Sequence, residues 1–163
     1  MIDAKPKLCC VIGNPVEHSL SPQIHNAAYK ALGLNYVYLA FRISDVQKAL
    51  SGLKELGVKG ISVTIPHKQD VMKYLDEIDE TARKIGAVNT IVNRNGKLFG
   101  TNTDWLGAIQ ALEEKTRLRG KTVAILGAGG ASRAIIYGLK QNGATVHIFN
   151  RTVESADALK KEF

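Results

Sequence analysis

The chain has 163 residues, 45% of them hydrophobic and 23% charged, and its 22 Lys+Arg against 15 Asp+Glu give a formal net charge of +7. Such values fit a globular chain of one domain and a fraction and exclude disorder, collagen and coiled coil as the main architecture. No apolar run reaches the roughly 18 residues of a membrane helix, and the first residues have neither the basic nor the apolar region of a secretory signal. Cys9 and Cys10 are adjacent and cannot build a disulfide framework, so they read as reduced strand residues of a cytoplasmic protein.

Leu8 to Ile12 has the pattern of a short buried strand that stops at Gly13-Asn14-Pro15. Ser21 then reads as the N-cap, and Pro22 as the first turn, of a helix carrying Ile24, Ala27, Ala28, Ala31 and Leu32 and closed by Gly33. Tyr36 to Ile43 reads as a strand, and Val46, Leu50 and Leu53 mark a helix ending at Gly57. A third strand is expected over Lys59 to Ile65, ended by Pro66, with a helix following through Val71, Met72 and Leu75. A short helix around Thr81 to Ile85 stops at Gly86. Strands Val88 to Val92 and Lys97 to Gly100 flank Asn95-Gly96, a strong hairpin signal. Asp104 can cap a helix holding Leu106, Ile109 and Leu112, and Arg117 to Lys121 is a polar joint suited to a domain boundary. Beyond it, Thr122 to Leu126 reads as a buried strand, a helix runs through Ile135, Ile136 and Leu139 to Gly143, and Thr145 to Phe149 is the next strand. A last helix follows Thr152. This strand-helix alternation implies a parallel sheet with right-handed crossovers.

Gly127-Ala128-Gly129-Gly130-Ala131 lies between a strand and a helix, where backbone amides can approach a pyrophosphate at the positive end of the helix. The first two glycines of the dinucleotide fingerprint match, while its third position falls on Ser132. The next strand ends in Asn150-Arg151-Thr152 rather than in the acid that would bind a free ribose hydroxyl. A guanidinium there suits a 2′-phosphate and favours NADP, although Glu154 lies close by.

Three further segments place polar groups at strand ends. Ser19 and Ser21 flank a helix start suited to a carboxylate. Lys68 ends Ser62-Val63-Thr64-Ile65-Pro66-His67-Lys68, and Asp104 ends Thr101-Asn102-Thr103-Asp104. The four histidines show no metal spacing, so no metal is assigned. The cations are scattered without stacking aromatics, so nucleic acid is not an expected partner, nor is a membrane.

These segments, together with Gly13-Asn14-Pro15 and Gly86-Ala87-Val88-Asn89-Thr90, resemble the shikimate dehydrogenase family in order and spacing over nearly the whole chain. The resemblance implies an α/β fold: an N-terminal substrate-binding α/β domain over 1–103, a linking helix and joint over 104–120, and the first half of a Rossmann-type NADP-binding domain over 121–163. Only two of the roughly six strands of a full Rossmann sheet are present, so a truncated chain is expected, and it alone need not be active. The implied reaction is reversible reduction of 3-dehydroshikimate to shikimate with NADPH, in chorismate and aromatic amino-acid biosynthesis. By resemblance, Lys68 and Asp104 are the paired catalytic residues. Ser19 and Ser21 hold the substrate carboxylate, and Thr64, Asn89 and Asp104 the ring hydroxyls. Gly127, Ala128, Gly129, Gly130 and Ala131 take the pyrophosphate, and Asn150, Arg151 and Thr152 the 2′-phosphate. The resemblance also admits a homodimer. Three alternatives stay open: a quinate/shikimate dehydrogenase, mixed NADP and NAD use, and a fragment that binds without turnover. Ser62 stands where many members carry Asn, and Glu154-Ser155 where a further base is usual.

Overall fold

The computed structural model describes residues 3–163. They form two compact units. One runs to Asp79 and resumes over Val88–Thr101; the other comprises Glu80–Ala87 and Asn102–Phe163.

The first unit is a mixed six-stranded sheet. Strands β1 (Lys7–Gly13), β2 (Tyr36–Arg42) and β3 (Gly60–Val63) are parallel, with β1 between the other two. The sheet continues through β5 (Thr90–Arg94), antiparallel to β3, and β6 (Lys97–Thr101) to a two-residue edge strand, β4 (Glu77–Ile78), in the order β2-β1-β3-β5-β6-β4. Helices α1 (Ser21–Ala31) and α2 (Val46–Glu55) are the crossovers on either side of β2. The apolar middle of β1 explains its central place: Cys10, Val11 and Ile12 are buried, as are Ile61, Val63 and Ile91 of the neighbouring strands. Burying each large aliphatic chain contributes about 1.5–3 kcal/mol. Burial also pushes the Cys10 thiol up to about 12, so it stays protonated, and neither cysteine is bonded to the other. The β5–β6 turn is the expected one, with Asn95 at φ 53° and Gly96 at φ 86°.

The second unit holds α3 (Glu80–Ile85), α4 (Asp104–Glu113) and a βαβ segment: β7 (Thr122–Leu126), α5 (Gly130–Gln141) and β8 (Thr145–Phe149), with β7 and β8 parallel, followed by α6 (Val153–Glu162). Its core joins Ile109, Leu118, Leu139 and Ala144, with Trp105, Val123 and Ile125 packed on them. A second cluster joins Ile85, Ala87 and Ala134.

Several expectations need correction. The segment after Pro66 forms a short 3-10 helix over Asp70–Tyr74, too brief for an α-helix, and β4 follows it. The third strand is shorter than Lys59 to Ile65 because residues beyond Val63 turn into a loop, and the hairpin's first strand begins at Thr90. The α1 N-cap is Leu20, with Ser21 already the first helical residue. Likewise the α4 N-cap is Thr103 and Asp104 is the first helical residue. Strand β7 is not buried; exposed and half-buried residues alternate along it. The linking helix and joint expected over 104–120 are packed into the second unit. Gly138 of α5 lets α4 approach so closely that a Cβ there would lie 2.5 Å from Ile109 Cγ1, and Leu118 belongs to the same core. The chain therefore changes unit after Thr101, and 80–87 sides with the nucleotide-type unit.

Candidate active site

In the first unit, Ile12 and Val63 are register partners in parallel strands, so the loops after β1 and β3 leave the same carboxyl edge, the usual ligand edge of such sheets. Backbone bonds weave these loops together. Asn14 N donates to Ile65 O (2.9 Å), Thr64 N to Ile12 O (2.9 Å) and Ile43 N to Gly13 O (3.1 Å). Arg42 Nε donates to Asn14 Oδ1 at 2.9 Å, and the buried His67 ring nitrogen Nε2 lies 3.3 Å from Ile43 O. Lys68 and Asn89 share this frame: Val88 N donates to Lys68 O (2.8 Å) and Val63 N to Asn89 O (2.8 Å). The Asn89 side chain accepts at Oδ1 from Thr90 Oγ1 (2.9 Å). Thr64, Lys68 and Asn89 are all half-buried, as are Ser19 and Ser21 on the way into α1. Ser19 Oγ accepts from Ser21 N at 3.3 Å, so Ser19 has a local structural role that helix capping by Ser21 did not explain.

Tyr38, which the sequence reading did not single out, is tied to Ser62 of the Ser62–Lys68 segment. It is buried, donates through its hydroxyl to Ser62 Oγ at 2.7 Å, and is stacked by His25 at 4.2 Å. Burial raises its pKa, with the Ser62 hydrogen bond opposing. An aromatic inside a strand reads as core, which is why it drew no notice.

Asp104 belongs to the second unit, where its backbone N donates to Asn102 Oδ1 at 3.0 Å. Gly127 follows β7 at φ +115°, a conformation suited to glycine, and its N donates to Phe149 O at 2.7 Å. Gly129 caps α5 with no side-chain bond, and a Cβ on it would meet nothing within 4 Å. The loop Gly127-Ala128-Gly129 and the first residues of α5, Gly130 and Ala131, thus meet the needs of a pyrophosphate: open approach and first-turn amides with no capping side chain. Beside the loop lies a cleft of about 560 Å³ between Gly127, Phe149, Asn150, Arg151, Val153 and Asp157. Asn150 Nδ2 donates to Thr152 O at 2.7 Å and shapes the turn into α6, leaving Arg151 exposed. Arg151 fits a 2′-phosphate, and the carboxylates of Asp157 in the cleft and Glu154 in the first turn of α6 oppose it.

Parallel strands within a mixed sheet, with polar loops at their carboxyl edge, followed by a Rossmann-type βαβ segment, define a two-part α/β architecture. Residues 11–91 match the model of the shikimate dehydrogenase substrate binding domain, and residues 110–163 that of shikimate / quinate 5-dehydrogenase. The chain belongs to the shikimate dehydrogenase family. It is 53% identical to the shikimate dehydrogenase (NADP(+)) of Methanocaldococcus jannaschii, over 99% of this chain and 58% of that protein. The crystal structure of shikimate dehydrogenase from Aquifex aeolicus superposes with a TM-score of 0.96 at 49% identity, covering 100% of this chain and 62% of that one. A shikimate dehydrogenase solved in complex with NADP+ gives 0.94 at 53% identity, over 99% of this chain and 57% of the other. The chain thus spans about three fifths of the relatives it matches.

Proposed function

We propose that this chain carries the substrate-binding part and the first nucleotide-binding part of an NADP-dependent shikimate dehydrogenase, which interconverts 3-dehydroshikimate and shikimate. The observation that supports it best is the single backbone frame holding Thr64, Lys68 and Asn89 at the carboxyl edge of the parallel strands β1 and β3. Ser19 and Ser21 hydroxyls take the substrate carboxylate, and Thr64 and Asn89 take ring hydroxyls. Lys68 donates a proton to the ketone oxygen and stabilises the alkoxide that develops there. Asp104 accepts a hydrogen bond from a ring hydroxyl. When bound, NADPH supplies the hydride that reaches the ketone carbon. Gly127–Ala131 would hold its pyrophosphate, and Asn150, Arg151 and Thr152 its 2′-phosphate.

Shikimate-dependent reduction of NADP+, with NAD+ and quinate in parallel, tests the reading. Lys68→Ala should lower kcat about 10²- to 10⁴-fold with KM changed only a few-fold. A raised KM with kcat retained would make Lys68 a binding residue instead. The span of three fifths favours a second reading, binding without turnover. Calorimetry distinguishes it: binding of shikimate and 2′,5′-ADP by a chain with no turnover selects the second reading, and binding of neither rejects both.

A further inference from the structure

Within the second unit, Ile85-Gly86-Ala87 is a buried turn whose carbonyls are claimed by two distant side chains. Arg133 of α5 is itself buried and donates from Nε to Ile85 O at 2.7 Å. Its Nη2 pairs with the Glu162 carboxylate, Nη1 lies 3.3 Å from Glu162 Oε1, and the guanidinium stands 5.8 Å from the centroid of the Phe163 ring. Asn102, 3% exposed, donates from Nδ2 to Ala87 O at 2.9 Å, while its Oδ1 accepts from Asp104 N at 3.0 Å.

Gly86 makes the double claim sterically feasible. It sits at φ +68°, in the left-handed region open to glycine, and a Cβ there would fall 2.5 Å from Arg133 Nη2. Ile85 ends α3, so its carbonyl has no following helical amide, and the Arg133 Nε donor fills that need. One polar chain therefore runs from Arg133, three residues after the first residue of α5, through the turn and Asn102 to the backbone of Asp104. Every link is a charged or amide side chain on a backbone group, and both Arg133 and Asn102 are buried. A buried side-chain amide with both ends committed has one orientation, and it imposes that orientation on what it holds.

We propose that Arg133 and Asn102 are positioning residues that set the backbone of Asp104 against the helix of the dinucleotide loop. The inference deepens the reading above, because the role of Asp104 rests on it. Its geometric content can be tested without turnover.

The experiment is residue-resolved amide hydrogen exchange on the 163-residue chain, together with shikimate and 2′,5′-ADP titrations. Arg133 makes none of the bonds to Asp104 given above, yet Arg133→Met should speed exchange of the Asp104 amide by about tenfold, with the amides of β1 and β2 within about twofold. Asn102→Ala should do at least as much. Both variants should weaken shikimate binding by about fivefold and leave 2′,5′-ADP binding within about twofold. Arg133→Lys keeps the charge but one ammonium replaces the fork. It should fall between wild type and Arg133→Met, at about threefold faster exchange, and it decides the matter should Arg133→Met not fold. An Asp104 amide unchanged in Arg133→Met, or in Arg133→Lys if only that variant folds, would overturn the proposal, as would unchanged shikimate affinity in a chain that binds shikimate. Should the wild-type chain bind no shikimate, the exchange data alone decide the positioning, and the functional reading falls if 2′,5′-ADP is not bound either.

Discussion

Strands β1 and β7 open comparable βαβ segments and are comparably apolar, yet they end in opposite environments. In β1, Cys10 and Ile12 are fully buried and Val11 is 3% exposed; in β7, Leu126 is 83% exposed. The strand β1 is paired on both sides, by β2 and β3, whereas β7 pairs with β8 alone among the described residues. Apolar content therefore marks a segment as able to lie inside a sheet, and the number of neighbours decides whether it does. The same contrast separates the sites. The loops of the first unit are tied together by many backbone bonds, while the glycine loop of the second is tied at Gly127 to Phe149 and at Gly129 to the first turn of α5, with open space around Gly129.

This contrast can be broken by substitution. Ile61→Ala, in the interior of the larger sheet, should cost about 2–5 kcal/mol, whereas Ile125→Ala in β7 should cost about 1 kcal/mol. Equal losses in denaturant titrations followed by residue-resolved exchange would show the two sheets to be equally consolidated. Gly86→Ala should cost about 2 kcal/mol and be felt in the second unit, since the alanine meets both a left-handed backbone and the Arg133 guanidinium. Asp45 caps α2 by accepting from Lys48 N, and that bond holds its carboxyl below the ordinary value of 3.8. Its folded pKa thus lies below the unfolded one, so its contribution is present above 3.8 and lost as the pH falls through the folded value. Asp45→Ala should lower Tm by a few degrees at neutral pH, and the gap should close on acidification; a gap independent of pH would assign the loss to packing. Leu126→Ser should change stability by less than about 0.5 kcal/mol, despite removing a large apolar side chain from a strand. A larger loss in thermal melts would mean that the end of β7 is packed.

Much of this architecture was legible because its signals are local. Asn95-Gly96 dictates its turn through backbone sterics, and helices α1, α2, α3 and α5 stop at glycines for the same reason. The glycine loop, Arg151 and the Ser62–Lys68 segment stand out as polar or flexible residues at strand ends. What escaped depends on tertiary partners. Strand β4 is two residues long and exists because Glu77 and Ile78 find Phe99 and Gly100. Helix α3 sides with the second unit through Ile85 and Ala87, which pack with Ala134, a residue 47 positions beyond Ala87. Arg133 did leave a trace: it precedes Ile136 by three positions and Tyr137 by four, so a cation sat on the apolar face of α5. Asn102 left none, since a polar residue between a strand and a helix is ordinary loop chemistry.

The path of the chain between its units has a consequence for recombination. It changes unit after Asp79, after Ala87 and after Thr101, so no single cut separates one unit from the other. A chimera spliced after Thr101 would import a nucleotide-type unit without its native Ile85 and Ala87, and would ask a foreign helix to satisfy Arg133. Exchange of these parts between relatives should therefore succeed best when residues 80–87 move along with the downstream half, two stretches separated in the gene travelling as one block.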